Sequence, residues 1–235
     1  LRHDFNEQGI PEVYACEYLC NPVDDSIRYF RKGDFLPMTD EDRKKRKVFY
    51  AVGDLAISKS ERADSSVFGI VGVDEAGVVH VVETWKGKFD GVEITNLMFE
   101  IQKMYNPQLF GIEEEKIKKA LGPFWNREMI ARGVFLSFPD PPLIPSKDKR
   151  QRARAIQARM RAGGVRFDMD ADWFPALQEE MLRFDRGAHD DYVDMMAWVG
   201  LLLDRLSDAQ TDEEVEEERY TMQIEYQGRS VLCGY

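Results

Sequence analysis

The residues best suited to chemistry in this chain are carboxylates at the ends of apolar segments. Asp54 stands near the end of the run Tyr50-Ala-Val-Gly-Asp-Leu-Ala, Glu113 closes the run from Leu109 to Ile112, and Asp190, Asp191 and Asp194 begin a later apolar stretch. An ionised carboxylate at the end of a buried strand is costly unless it is paired, hydrogen-bonded or bound to a cation. Each has a structural reading when taken alone. Asp54 could start a turn, Glu113 could be the first residue of a helix, and Asp190 could cap one, where the helix dipole favours negative charge. Brought together, like charges repel and need cations. Carboxylate oxygens suit hard Mg²⁺ or Mn²⁺. Two such ions, roughly 3.5–4 Å apart, can activate a water and stabilise the leaving oxygen of a phosphodiester. The histidines are His3, His80 and His189. None is placed to be a general base, so metal ions replacing the base suit this inventory. For His189 the readings are a helix cap, an orienting partner of Asp190, or a catalytic role.

Such a cluster needs elements to position it. Three strands are predicted first: VFYAVGDLA from Val48, SSVFGIVGVD from Ser65 and VVHVVETW from Val78. Their β-branched content and the turn residues Asp74–Gly77 predict a hairpin between the second and third. Ile94, Leu97, Met98, Ile101, Met104 and Tyr105 recur at helical spacing. QLFGIE, ending at Glu113, reads as a short buried strand. Ile117, Leu121 and Trp125 begin another helix, and VFLSF from Val134 to Phe138 reads as a fifth strand. Beyond the break PDPPLIP come a basic helix from about Lys147 to Ala162, a short VRFD segment, and helices over Trp173–Phe184 and Asp190–Leu206. Strands joined by short turns should be antiparallel, and strands reached through a helix should be parallel to one of them. The expected fold is α/β: a mixed five-stranded sheet, three antiparallel strands then parallel ones, with helices on both faces. In that order the first and fourth strands are neighbours, so Asp54 and Glu113 lie side by side. The helix at Asp190 then needs only to lay its N-terminus across their ends.

Composition bounds the partners. With 43% hydrophobic and 11% aromatic residues, the 235-residue chain has enough apolar content for a sizeable core. No apolar run approaches the roughly 20 residues that span a bilayer. Three cysteines, Cys16, Cys20 and Cys233, argue against a disulfide framework. Cys16 and Cys20 could share a helix face, but no nearby His or Cys pair completes a zinc site. The net charge of −11 hides a strong asymmetry. Lys147 to Arg161 carries seven basic residues and one Asp, whereas Asp204 to Glu218 carries eight acids and one Arg. Lys147, Lys149, Arg152 and Arg154 could contact phosphates, positioning a nucleic acid without reading its sequence. The bland alternative is a solvated helix face. Residues 1–47 read as an arm or linker, 48–206 as the folded domain, and 207–235 as an acidic tail in which TMQIEYQ could add a strand or pack on a partner.

Four segments in order carry a resemblance: GDLAISKSERADSSVFGIVGVD, LFGIEEEKIKKALGPF, SKDKRQRARAIQARMRAGGVRFD and FDRGAHDDYVDMMAW. Across residues 48–203 they resemble the nuclease domains of bacteriophage DNA-packaging terminase large subunits. The upstream ACEYLCNPVDD resembles the segment that joins the packaging ATPase to that nuclease. The resemblance implies an RNase H-like fold and metal-dependent cutting of double-stranded phage DNA concatemers. It also implies an upstream ATPase domain, a portal and a small terminase subunit as partners, and the infected host cytoplasm as location. By position, Asp54 matches the first-strand aspartate, Glu113 the fourth-strand acid and Asp191 the aspartate of the final helix. Asp190 is then an auxiliary metal ligand, and Asp194, a turn deeper, is either a supporting residue or a ligand. Because Glu114 and Glu115 follow, the fourth-strand position could shift by one. Asp64 matches a recurring acid and reads as a turn residue.

One departure is plain: GxxxxGK[ST] does not occur, so the chain carries no ATP-binding loop of that type. The chain begins without Met, which suits a fragment; it is either an excised domain or acts with a separate ATPase. A junction resolvase or integrase-like nuclease would fit the same acids, because fold does not dictate function. A non-catalytic DNA or portal docking module is the alternative outside enzymology.

Overall fold

The computed structural model describes residues 28–56, 65–112, 114–143, 148–184 and 190–207, with backbone alone over 114–120. Asp64, Glu113, Lys147, His189 and the tail from 208 lie outside these residues. The chain divides into two units, Leu1–Leu201 and Leu202–Tyr235. The sheet and its helices belong to the first, the last helix as far as Leu201.

β-branched and aromatic residues in alternation give three long antiparallel strands: β2 (Lys47–Asp54), β3 (Ser66–Asp74) and β4 (Val79–Gly87). The turn between β3 and β4 uses Gly77 at φ 75°, where a side chain would be strained. Short strands complete the sheet: β1 (Leu36–Pro37), β5 (Phe110–Ile112) and β6 (Val165–Phe167). The order across the sheet is β1-β6-β4-β3-β2-β5. β5 runs parallel to β2, and β6 runs parallel to both β4 and β1.

The sheet therefore has six strands where five were expected, and one expected strand is not among them. Val134–Phe138 forms no ladder. Its Ser137 carbonyl accepts a single backbone bond from Phe110, at 2.8 Å. The VRF segment forms β6 instead, and the stretch read as an arm supplies β1 and the short helix α1 (Asp40–Lys44). Arg43 of α1 grips Asp168 beyond β6 through bonds of 2.6 and 2.8 Å.

Helices cover both faces. On one face, α2 (Gly91–Tyr105) and α3 (Glu114–Arg132) enclose Ala51, Phe68, Ile70, Phe110 and Ile112. Asp90 caps α2 and its own amide donates to the Glu93 carboxylate, while Asn106 ends the helix at φ 46°. Ile94, Met98 and Ile101 are buried as the spacing predicts, but Met104 is 60% exposed. Trp125 of α3 donates to Thr95 of α2 at 2.9 Å and stacks on Phe138.

The other face carries α4 (Lys149–Arg161), α5 (Phe174–Leu182) and α6 (Asp191–Ser207). The one acid in the basic run, Asp148, is the N-cap of α4. A Cβ on Gly200 of α6 would stand 2.9 Å from the Ile156 amide nitrogen and 3.0 Å from the Ala155 Cβ of α4. No helix among the described residues is long and apolar enough to cross a membrane.

At one end of the sheet a buried polar group ties α1 to the β3–β4 hairpin. Asp74 accepts from the amides of Ala76 and Val78 at 3.0 and 2.9 Å, and from His80 Nε2 at 3.0 Å. Lys45 bridges Asp42 and Asp74 at 2.8 and 3.2 Å. Burial alone would raise the Asp74 carboxyl, but bonds from His80, Val78 and Lys45 outweigh it and hold it at about 2. Burial pushes His80 below its ordinary 6.5. Its Nδ1 is buried without a partner, so a proton there would be an N–H with no acceptor.

Two outcomes are expected. Gly200→Ala should force α4 and α6 apart and cost about 1–3 kcal/mol. In urea titration this appears as a lower midpoint at unchanged slope; an unchanged midpoint would mean the crossing yields freely. The second outcome concerns acid. Neutral His80 contributes stability that is full above pH 6.5 and lost as pH falls toward its lowered value. The Asp74 contribution is full above 3.8 and lost as pH falls through about 2. Unfolding free energy should thus fall on acidification, and His80→Gln should flatten the upper part of that fall. A profile of the same shape in the variant would place the titration elsewhere.

Candidate functional site

The register of the long strands places the candidate acids. Asp54, the last residue of β2, is opposite Val67 on β3, and Val67 is opposite Lys86 on β4. Directly paired residues project to the same face, so Asp54 and Lys86 share one face, with backbones roughly 10 Å apart. The adjacent row on that face is Val52, Gly69 and Thr84. Gly69 leaves a gap that α6 fills: a Cβ there would be 2.6 Å from Met195 Sδ. Asp191 precedes Met195 by four residues, one helical turn. That turn brings it to the Asp54–Val67–Lys86 row, where Lys86 Nζ lies 2.9 Å from Asp191 Oδ2.

Of the acids expected from sequence, Asp54 and Asp191 are thereby brought to one end of one face. Asp54 is half-buried and Asp191 is buried. Gly53 is paired with Ile112 in the parallel β2–β5 ladder, and Glu113 is the next residue in sequence after that pair. Asp190 immediately precedes α6, Asp194 lies in its first turn with Asp191, and the Asp194 amide donates to the Asp190 carbonyl at 2.9 Å.

Cations of the chain already face these acids. Lys149 of α4 pairs with Asp190 and lies 3.2 Å from Asp194. Arg152 reaches Asp194 at 2.7 Å. Two of the four residues expected to meet phosphate are thus engaged by acids of α6, while Arg154 is exposed. Burial works against the Lys149 ammonium, but Asp190 and Asp194 outweigh it and push it above its ordinary value. The same balance holds for Lys86, where Glu180 and Asp191 overcome burial.

Sequence reading missed Lys86 and Glu180. Lys86 Nζ is 2.6 Å from Glu180 Oε2 and 4.6 Å from the centre of the Tyr192 ring. The signal for Lys86 was its place in the strand register with Asp54. Glu180, three residues after the buried Leu177 on α5, carried no comparable signal.

The donor set fits a hard divalent cation. Its groups are carboxylates, and ammonium ions stand against two of them, Lys86 on Asp191 and Lys149 on Asp190. Among the described residues, Asp42, Asp74 and His80 also have ligand spacing, with candidate atoms within 4.8 Å of one another. Asp74 is paired with Lys47, at the opposite end of β2 from Asp54. That is seven residue steps, roughly 23 Å, from the carboxylates above. Lys45 lies between the two carboxylates, and backbone amides take up further lone pairs. This second group is a structural ion network.

No family model matches the chain, and no curated protein matches it. Solved structures do. The large terminase nuclease of thermophilic phage G20c, with bound magnesium, is similar at a TM-score of 0.51 and 16% identity, over 74% of this chain and 96% of that one. The large terminase nuclease domain of Thermus phage P74-26 gives a TM-score of 0.47 and 17% identity, over 70% and 87% of the two chains. The human cytomegalovirus terminase nuclease domain gives 0.48 and 14%, over 72% and 86%. At such identities the likeness is one of fold, and it rests on the G20c nuclease. The chain has the RNase H-like fold of a terminase large-subunit nuclease domain.

Proposed function

We propose that the chain is a metal-dependent endonuclease that cuts double-stranded DNA during packaging of a phage genome. The observation that carries this reading is the convergence of Asp54 and Asp191 on one end of the sheet, on this fold. Asp54, Glu113 and Asp191 are the proposed catalytic ligands, with Asp190 auxiliary. Mg²⁺ or Mn²⁺, two ions in the full site, is the proposed cofactor, and magnesium in the G20c nuclease supports that choice. When bound, such ions supply an activated water and neutralise charge on the leaving oxygen of a phosphodiester.

The chain's own residues orient that chemistry. β2 gives Asp54 a fixed backbone in a three-stranded ladder. The first turn of α6 presents Asp191 where the helix dipole favours its charge. Lys86 neutralises part of the cluster without adding a group that titrates near neutrality. The start of α4 lies beside the same turn through Lys149 and Arg152. Arg154, exposed on α4, and Lys147, two residues before that helix in sequence, are further proposed phosphate contacts. An upstream packaging ATPase, a portal and a small terminase subunit are the proposed partners, in the cytoplasm of an infected cell.

Incubated with supercoiled plasmid, the protein should nick and linearise DNA with Mn²⁺ or Mg²⁺ and not with EDTA. Asp54→Asn and Asp191→Asn should each reduce cutting to background while keeping the wild-type circular dichroism spectrum. Full activity in either variant would overturn the site. Arg154→Ala should weaken DNA binding and lower the slope of log affinity against log salt by about 1. An unchanged slope would return Arg154 to the solvated face of α4.

A further inference from the structure

Lys86 and Glu180 have no assigned part in metal binding, yet their contacts centre on the element that presents Asp191. Lys86 lies in the same strand row as Asp54, two strands away. Its ammonium is held from three sides: Glu180 at 2.6 Å, Asp191 at 2.9 Å and the Tyr192 ring at 4.6 Å. Its side chain is 25% exposed, so the tip of a flexible residue is fixed at the edge of the cluster. Glu180 does two things at once. One oxygen binds Lys86, and the other accepts the backbone N–H of Tyr192, in the first turn of α6. The residue that anchors the lysine thus also anchors the turn that presents Asp191.

We propose that Lys86, held by Glu180, is a positioning residue of the metal centre that fixes Asp191 and competes electrostatically with the cation. This rests on the nuclease reading above. The charge count gives the sign. Asp54, Asp190, Asp191, Asp194 and Glu180 are five carboxylates, and Lys86, Lys149 and Arg152 are three cations, which leaves −2 among these side chains. Removing Lys86 leaves −3 and releases two carboxylates from their ammonium. A cation should then bind more tightly, but to an Asp191 that is no longer held in one rotamer. Removing the charge of Glu180 has the opposite electrostatic effect. It takes away a negative charge while loosening the same lysine. A residue that merely supported the fold would not give these opposite signs.

The test titrates Mn²⁺ alone into the wild type, Lys86→Met and Glu180→Gln by calorimetry, and measures plasmid cutting at saturating Mn²⁺. Lys86→Met should bind Mn²⁺ about three- to tenfold more tightly and cut about tenfold or more slowly. Glu180→Gln, which keeps an oxygen for the Tyr192 amide, should bind Mn²⁺ less tightly and also cut more slowly. Lys86→Arg should recover most of the wild-type behaviour. If the wild type neither binds Mn²⁺ nor cuts DNA, the nuclease reading falls and this inference with it. If the wild type does both while Lys86→Met binds Mn²⁺ no more tightly, the inference alone falls. If Lys86→Met does not fold, tighter or equal Mn²⁺ binding by Glu180→Gln has the same consequence.

Discussion

β3 has no side chain at Gly69, and the candidate site depends on that gap. Met195 of α6 occupies the space where a Cβ would project. The close approach lets the first turn of α6 come down on the row that holds Asp54 and Lys86. A second close approach acts on the outer side of the same helix, where Gly200 lies against the backbone of α4 at Ile156. Helix α6 is thus held between the sheet and α4 by contacts that tolerate little extra volume. Because these contacts fix its height and direction, the first turns of α4 and α6 come together. Backbone packing therefore decides which charges meet.

What meets is a set of carboxylates that could not sit together uncompensated. The chain answers with cations from two directions. Lys149 and Arg152 reach Asp190 and Asp194 from α4, and Lys86 reaches Asp191 from the sheet. These pairs differ in kind. Lys149 is 46% exposed, so water screens its pairs and they contribute little to stability. Lys86 is more enclosed, and its partners Glu180 and Asp191 are 10% and 11% exposed. Losing one member there would strand a charge in a poorly solvated place. The helix dipole adds a smaller favourable term for every acid in the first turn of α6.

Much of this was readable in the chain because it is local. Alternation in VFYAVGD, SVFGIVGVD and VHVVETW encodes three strands, and the short turn after Asp74 encodes their antiparallel pairing. A strand reached through a helix must run parallel to a neighbour, which placed Phe110–Ile112 beside β2. Val134–Phe138 shows where local reading stops. Leu136 is buried and Phe135 is 66% exposed, so the alternation read from the sequence is real. Pairing, however, is decided by what lies alongside, and β6 takes its place between β1 and β4 with only three residues. Phe110–Ile112 is as short, but it is an unbroken apolar run, whereas Arg166 interrupts β6. Lys86 and Glu180 were hidden because their contact spans ninety-four positions. The pairing of Lys149 and Arg152 with acids of α6 was likewise invisible. A basic run in sequence has no partner until α4 is laid against α6.

The two acidic groups of this fold show how similar residue types come to different ends. Asp74 and Asp42 are saturated from within the chain. Backbone amides, an imidazole and the Lys45 ammonium take up their oxygens, and the Asp74 carboxyl is held at about 2 by those bonds. A divalent ion entering there would have to displace Lys45 and strip hydrogen bonds that also close the β3–β4 turn. At the other end of β2, where Lys86 stays held by Glu180, the cation on Asp190 is the Lys149 tip of α4, 46% exposed. Such an ammonium can swing aside while the backbone that carries the carboxylates stays in place. Ligand spacing alone would rank the first group above the second. The cost of displacing what already neutralises each group reverses that order, and this cost supports the metal site proposed at the Asp54–Asp191 end.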